Sequence, residues 1–221
     1  MIEIRPYQLF RLFDAAANSR DVGVQLPFRR GYGSLTMLET MILLAAVKAV
    51  DAKTVFEFGT FLGSTTLNLA MNVADGGQVF TLDLPDDSQI TQHAEDAAIT
   101  NIRRTAENLD FHGSRVADQV TELRGDSVSC DYSPWIEAVD LVFIDGGHDL
   151  ATVSSDTQSA FKMVRPGGRS AILWHDYSNP DYPELSVYLD DLAQHRPMFH
   201  VGDTMICAWF DNALSDILSL N

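Results

Sequence analysis

Val55-Phe56-Glu57-Phe58-Gly59-Thr60-Phe61-Leu62-Gly63-Ser64-Thr65-Thr66 reads as a buried strand that runs into a glycine turn and then a helix. Val55, Phe56 and Phe58 supply the apolar strand, Gly59 and Gly63 let the backbone come close to a ligand, and Ser64 or Thr65 is placed to cap the helix. Such a segment is a nucleotide-binding turn, and its glycine spacing separates two ligand classes. A dinucleotide fingerprint is Gly-x-Gly-x-x-Gly, which seats pyrophosphate on a helix N-terminus. Here the pattern is Glu-x-Gly-x-x-x-Gly. A carboxylate at the strand end repels pyrophosphate and suits a cationic amino group.

Outward from this turn, Gln78-Val79-Phe80-Thr81-Leu82-Asp83 reads as a second strand ending in an acid, placed to accept hydrogen bonds from ribose hydroxyls. Further strands are expected near 120–125, 139–145 and 169–175, with the first near 53–58 and helical stretches between them. That alternation predicts an α/β fold: a Rossmann-like, doubly wound, mostly parallel sheet. Met198–Val201 and Met205–Phe210, joined by Gly202-Asp203-Thr204, suit a C-terminal antiparallel hairpin and bring the expected count to seven strands. Residues 7–17 and 36–50 carry helical periodicity and read as an N-terminal helical cap, 1–50, on a domain spanning 51–221, the whole forming one compact unit. The interval 86–117 reads as a polar, helix-compatible crossover.

The chain of 221 residues, 46% hydrophobic, is long enough for a full core. Its 15 basic against 31 acidic residues give a formal charge of −16, whose field repels polyanions and speaks against nucleic acid as a partner. Arg29-Arg30 reads as a solvated loop pair. Two cysteines without a Cys-x-x-Cys pair indicate neither a disulfide framework nor a thiolate zinc site, and a cytoplasmic setting fits. No leader-like or membrane-spanning stretch stands out, so no membrane partner is expected; the apolar N-terminal helices suit a homo-oligomer.

The fourth strand, Val139 to Asp145, runs into Gly146-Gly147-His148, and the fifth, Ser170 to Trp174, into His175-Asp176-Tyr177. Ligands of open α/β sheets bind at the carboxyl edge where these residues emerge. Neighbouring strands lie about 4.8 Å apart, so Asp145, His175 and Asp176 are expected to converge on one divalent cation such as Mg²⁺. Such an ion would bind an acceptor hydroxyl, and His148 would remove its proton as general base. The alternative keeps Asp145 as an orienting group and His175 as a donor steering Asp176. Trp174, Tyr177 and Tyr32 would either shape an acceptor pocket or complete the core. Arg165-Pro166-Gly167-Gly168 reads as a helix stop and turn.

Glu57, Gly59, Gly63 and Asp83 together resemble the first two motifs of the class I S-adenosylmethionine-dependent methyltransferases, and the resemblance covers roughly residues 35–210. Ile144-Asp145-Gly146-Gly147-His148, Arg165-Pro166-Gly167-Gly168 and Trp174-His175-Asp176-Tyr177 narrow it to the macrocin-type sugar O-methyltransferases and, more distantly, the catechol type, a methyltransferase family 24-like group. The resemblance implies S-adenosylmethionine as cofactor, held by Glu57, Gly59, Gly63, Ser64, Thr65, Asp83 and Asp145. It also implies a small hydroxylated acceptor, sugar or phenol, with His148 and Asp145 catalytic. Arg124-Gly125-Asp126-Ser127 resembles the adenine-contacting motif, with Asp126 and Ser127 toward the base; by analogy Glu39 reaches the ribose or methionine end, against the plainer reading of an exposed helix acid. His175 stands where some relatives carry an acid. Two other readings remain open: a non-catalytic cofactor-binding protein, which Asp145, His148 and Asp176 argue against, and a nicotinamide-dependent oxidoreductase, which the glycine spacing disfavours. The sequence after the fourth strand lacks an amine-methylating Asn-Pro-Pro-Tyr motif.

Overall fold

A computed structural model describes residues 1–10, 21–26, 33–85, 94–211 and 214–216. Tyr32, Arg29-Arg30, most of the 7–17 helix expectation and the first residues of the 86–117 interval lie outside them. In chain order the elements are β1 (Ile2–Ile4), α1 (Pro6–Leu9), α2 (Met37–Ala49), β2 (Thr54–Phe58), α3 (Ser64–Asn72), β3 (Gln78–Asp83), α4 (Ala94–Thr105), β4 (Val120–Arg124), β5 (Leu141–Ile144), α5 (Leu150–Met163), β6 (Ala171–Trp174), α6 (Pro183–Leu192), β7 (Met198–Val201) and β8 (Cys207–Phe210).

One sheet of eight strands runs in the order β1-β7-β8-β6-β5-β2-β3-β4, parallel except where β8 pairs antiparallel with β6 and β7. This is the Rossmann-like architecture the alternation predicts, with one strand more than expected. The addition is β1, whose Ile2, Glu3 and Ile4 pair in parallel with Phe199, His200 and Val201. The Gly202 N–H then donates to the Ile4 carbonyl at 2.9 Å, closing that edge.

The central strands are apolar on both faces because helices cover both faces. Val55, Leu141, Phe143, Ala171 and Leu173 point into one cluster with α2 and α3, while Phe56, Phe58, Val142, Ile144, Ile172 and Trp174 point into the other with α5 and α6. Each fully buried large apolar side chain stabilises the fold by about 1.5–3 kcal/mol. At the opposite end of the sheet from the site, Asp140 Oδ2 accepts the Lys53 and Thr54 N–H groups at 2.9 Å each, and Arg165 Nε donates to Asp140 Oδ1 at 3.0 Å. The arginine of Arg165-Pro166-Gly167-Gly168 is thus a sheet-end clasp. No described helix is long and apolar enough to cross a membrane.

α2 belongs to the core: Ile42, Leu43, Leu44, Ala46 and Val47 are buried in the same cluster as Val55. Asn68 and Asn72, one turn apart on α3 and both buried, each grip the backbone of the incoming 21–26 segment. Asn68 accepts from Gln25 N–H and donates to its carbonyl, at 2.8 Å each, and Asn72 does the same for Gly23 at 3.0 and 2.7 Å. Two carboxamides here stand in for a neighbouring strand.

Candidate active site

The turn after β2 and the ends of β3, β5 and β6 meet at the sheet's carboxyl edge. Gly59 has φ +92°, and a Cβ there would lie 2.0 Å from the Asp145 carbonyl oxygen, so the two loops touch only because residue 59 has no side chain. Gly63, φ +80°, is the N-cap of α3; Ser64 and Thr65 lie inside the first turn, so the capping expected of them falls to a left-handed glycine with no side-chain bond. A Cβ on Gly63 would approach the Phe111 ring to 2.7 Å.

Glu57 is fully buried beneath this turn. Its Oε2 accepts from Thr66 Oγ1 at 2.5 Å and Thr81 Oγ1 at 2.6 Å, while Oε1 is buried without a partner among the described residues. Burial, outweighing the two threonine bonds and reinforced by Asp145 and Asp83, pushes the carboxyl up to about 8. Asp83 lies at the adjoining strand tip. Its Oδ2 accepts the Phe61 N–H at 2.9 Å, steadying a residue whose φ is +47°, and its Oδ1 accepts the Leu84 N–H at 2.8 Å.

Asp145, His148, His175 and Asp176 come together next to that turn, bordering a small cavity with Gly147 and Leu185. His148 Nε2 lies 2.9 Å from Asp176 Oδ2, and the His148 ring stacks on Tyr182 with centroids 4.0 Å apart and planes at 7°. Asp176 reaches back because its own backbone is left-handed, φ +61°, a region that Asp tolerates better than most residues. Asn179 Nδ2 donates to its other oxygen at 2.6 Å. His175 Nδ1 sits 3.2 Å from Asp145 Oδ1 and 3.0 Å from Asp176 Oδ2, and its Nε2 faces Glu39 Oε1 at 3.5 Å.

The charges follow from these contacts. Burial alone would lower His175, but Asp145, Asp176 and Glu39 outweigh it and hold the ring well above its ordinary pKa, as an imidazolium. Burial would raise Asp176, yet its bonds to His148 and His175 keep it far below the usual carboxylate range. For Asp145 burial wins over His175, and its pKa rises. The ligand atoms that gather within 4.8 Å, among the described residues, belong to Asp145, His148 and Asp176. His175, the third residue expected at such an ion, places Nδ1 against both carboxylates, at 3.2 Å from Asp145 and 3.0 Å from Asp176.

A family model described as a methyltransferase domain matches residues 56–177, more than half of the chain. The chain belongs to the methyltransferase domain family. Among solved structures it resembles the cofactor-bound Rv0187 from MTB at 20% identity, covering 92% of this chain and 88% of that one, with a TM-score of 0.56. It also resembles an O-methyltransferase from Bacillus cereus in complex with SAH (18% identity, 93% and 90% covered, TM-score 0.53). A third likeness is to the O-methyltransferase TomG from Streptomyces achromogenes, involved in tomaymycin synthesis and in complex with SAM (18% identity, 94% and 88% covered, TM-score 0.53). At these identities the likeness is one of fold. No curated protein matches the sequence.

In this methyltransferase Asp126 is exposed and closes a local turn, its Oδ1 accepting the Val128 N–H at 2.9 Å, while the Ser127 carbonyl accepts from Tyr132 Oη at 2.7 Å. Trp174 is fully buried in the core, donating Nε1–H to Thr157 Oγ1 at 2.9 Å, and Tyr177 donates to Asp190 at 2.9 Å. Glu39 is neither exposed nor aimed at open solvent. It is 3% accessible and fixed on three sides, which overturns the reading of it as a solvated helix acid. Sequence reasoning missed the partners that orient the site: Thr66 and Thr81 on Glu57, and Tyr182 and Asn179 around the His148–Asp176 pair. Thr66 stands within the opening stretch and could have been found from its place one turn into the helix, facing the strand.

Proposed function

We propose that the protein is an S-adenosylmethionine-dependent O-methyltransferase acting on a small hydroxylated acceptor, a sugar or a phenol. The observation that carries this reading is the His148–Asp176 pair held next to the Gly59–Gly63 turn. It sets a proton acceptor beside a cradle in which Glu57 Oε1, buried without a partner among the described residues, fits a cationic amino group. The Bacillus cereus and Streptomyces achromogenes proteins, O-methyltransferases in complex with SAH and SAM, support the same choice of donor and acceptor atom.

When bound, the cofactor supplies an electrophilic methyl on a sulfonium. Glu57 would receive its amino group, Asp83 its ribose hydroxyls, and Asp126 with Ser127 the adenine. Gly59 and Gly63 keep the turn close enough for contact, with Ser64 and Thr65 at the start of α3 beside them. Asp145 would orient the acceptor. Asp176 takes the His148 Nε2 proton as a hydrogen bond, so neutral His148 carries its basic lone pair on Nδ1, and that nitrogen accepts the hydroxyl proton as the new C–O bond forms. The cofactor would supply its methyl to the acceptor oxygen and depart as the thioether, and His148 would hold the released proton as an imidazolium.

Asp145, His148 and Asp176 also fit a divalent ion such as Mg²⁺, which would polarise the acceptor hydroxyl. Transfer of labelled methyl to a pool of sugar and phenolic acceptors, with and without EDTA, separates the readings. Methyl ether formation that is unaffected by EDTA and lost in His148→Ala, with cofactor binding retained, fits the histidine as base. Loss of activity with EDTA and its return with Mg²⁺ fits the ion. Cofactor binding without transfer to any hydroxyl would leave a binding protein and sink the proposal.

A further inference from the structure

Glu39 sits at the third position of α2, and each of its carboxylate oxygens has a separate task. Oε2 completes a capping box, accepting Thr36 N–H at 2.8 Å and Thr36 Oγ1–H at 2.7 Å. Oε1 leaves the helix altogether: it accepts the Met205 N–H at 2.9 Å, from the turn of the β7–β8 hairpin, and stands 3.5 Å from His175 Nε2. His175 Nε2 is itself buried and has no hydrogen-bond partner among the described residues, so the Glu39 carboxylate is its ion-pair neighbour. The opposite ring nitrogen is the one between Asp145 Oδ1 and Asp176 Oδ2. An imidazole is rigid, so a carboxylate that fixes one nitrogen fixes the direction of the other. Three elements far apart in sequence, α2, the hairpin turn and the end of β6, therefore meet on this carboxylate.

We propose that Glu39 is a positioning residue for methyl transfer: it orients His175 so that Nδ1 braces Asp145 and Asp176, and Asp176 in turn is held against His148. This rests on the O-methyltransferase reading, and it assigns Glu39 no contact with the cofactor. The chain of contacts runs Glu39–His175–Asp176–His148, with links of 3.5, 3.0 and 2.9 Å. Its far end is the group that takes the acceptor's proton.

Glu39→Gln removes the charge facing His175 while its single oxygen keeps either the Thr36 cap or the Met205 bond, and Thr36→Ala, which loosens the cap and leaves the carboxylate beside His175, is the control for the bond that is lost. Expected are a folded variant with a modest loss of stability shared by Thr36→Ala, a KM for S-adenosylmethionine within about twofold of wild type, and kcat lower by about 10-fold or more in Glu39→Gln but not in Thr36→Ala, the scale of losing one buried ion-pair partner. His175→Gln should lower kcat by a similar factor, and the double variant should fall no further than either single one. A raised KM with kcat intact would make Glu39 a cofactor contact and overturn the proposal, as would additive losses in the double variant or an unaffected kcat. A nitrogen-15 NMR measurement of the His175 ring reads the same link without turnover. A wild-type Nε2–H resonance that shifts or broadens on Glu39→Gln supports it, and an unmoved resonance refutes it. If no hydroxyl is methylated at all, the functional reading fails while this arm still reports on Glu39.

Discussion

Glu57→Gln offers a test of the buried carboxyl at the heart of the cradle. Its pKa is raised from the ordinary 4.5 to about 8, so the folded state binds a proton that the unfolded chain has released across that interval. The contribution to stability is complete below about 4.5 and is lost as pH rises through about 8. Between pH 5 and pH 8 the two pKa values give a decline of about 3 kcal/mol from this group alone. Gln carries no proton to lose, and its amide oxygen can take the Thr66 and Thr81 hydroxyls as Oε2 does. Asp156, which burial pushes up to about 7, declines with the same sign, so the informative quantity is wild type minus Glu57→Gln. Urea unfolding at pH 5, 6, 7 and 8 should show the variant gaining on wild type by about 3 kcal/mol over the range, which for a chain of this size is on the order of 6–12 °C in melting temperature. Cofactor affinity should move the other way, weaker in the variant, since an amide cannot neutralise an ammonium. Parallel stability profiles for the two proteins would refute the argument that Glu57 is held neutral until a cation arrives.

Gly59→Ala should be among the most damaging single changes, because its Cβ is forced to within 2.0 Å of the Asp145 carbonyl at φ +92°; a loss of about 3 kcal/mol or more by chemical denaturation is expected, with cofactor binding abolished. Asp83→Ala removes the acceptor of the Phe61 N–H and should weaken cofactor binding by about 10-fold or more in calorimetry, while α5 and the His148–Asp176 pair stay unchanged by NMR. Thr157→Val strips the buried Trp174 indole of its acceptor and should cost about 1–3 kcal/mol in stability with kcat preserved, a split that loss of activity at full stability would contradict.

The sheet was legible where strands are continuous apolar runs ending in a turn. Val55 to Phe58, Leu141 to Ile144 and Ala171 to Trp174 are buried on both faces, and runs this short, bounded by turn residues, suit a central parallel strand better than a helix. β1 was not, because Ile2–Ile4 is three residues long and owes its pairing to β7 at the far end of the chain. The site divides in the same way. Asp83, Asp145, His148, His175 and Asp176 announce themselves by standing at strand ends, but which of them touch depends on backbone detail. The left-handed φ at Asp176 turns its carboxylate toward both histidines, and although Asp tolerates that region, nothing in Trp174-His175-Asp176-Tyr177 requires it. Likewise Thr36-x-x-Glu39 is a readable capping box that explains Oε2, whereas the bond from Met205 to Oε1 spans 166 residues and leaves no local pattern.

These long-range bonds change what the N-terminal segment contributes. Read as a cap, residues 1–50 could be a cover on a finished domain; in the fold they supply an edge strand, a core helix and a carboxylate that meets the active site. Leu43, Leu44 and Val47 are buried with Val55 and Leu141, so removing α2 would expose the interior side of the sheet. Glu39 would go with it, leaving His175, a buried imidazolium, facing one acid fewer. The asparagine grip on Gly23 and Gln25 ties the preceding segment to α3, whose first turn begins at the glycine cradle. A change in the N-terminal segment therefore has two direct routes to the chemistry, one through Glu39 to His175 and one through α3 to Gly63. The α3 route runs through the buried Asn68 and Asn72 bonds and the Glu39 route through the Thr36 and Met205 bonds, so a change that breaks either leaves polar groups unpaired in the interior.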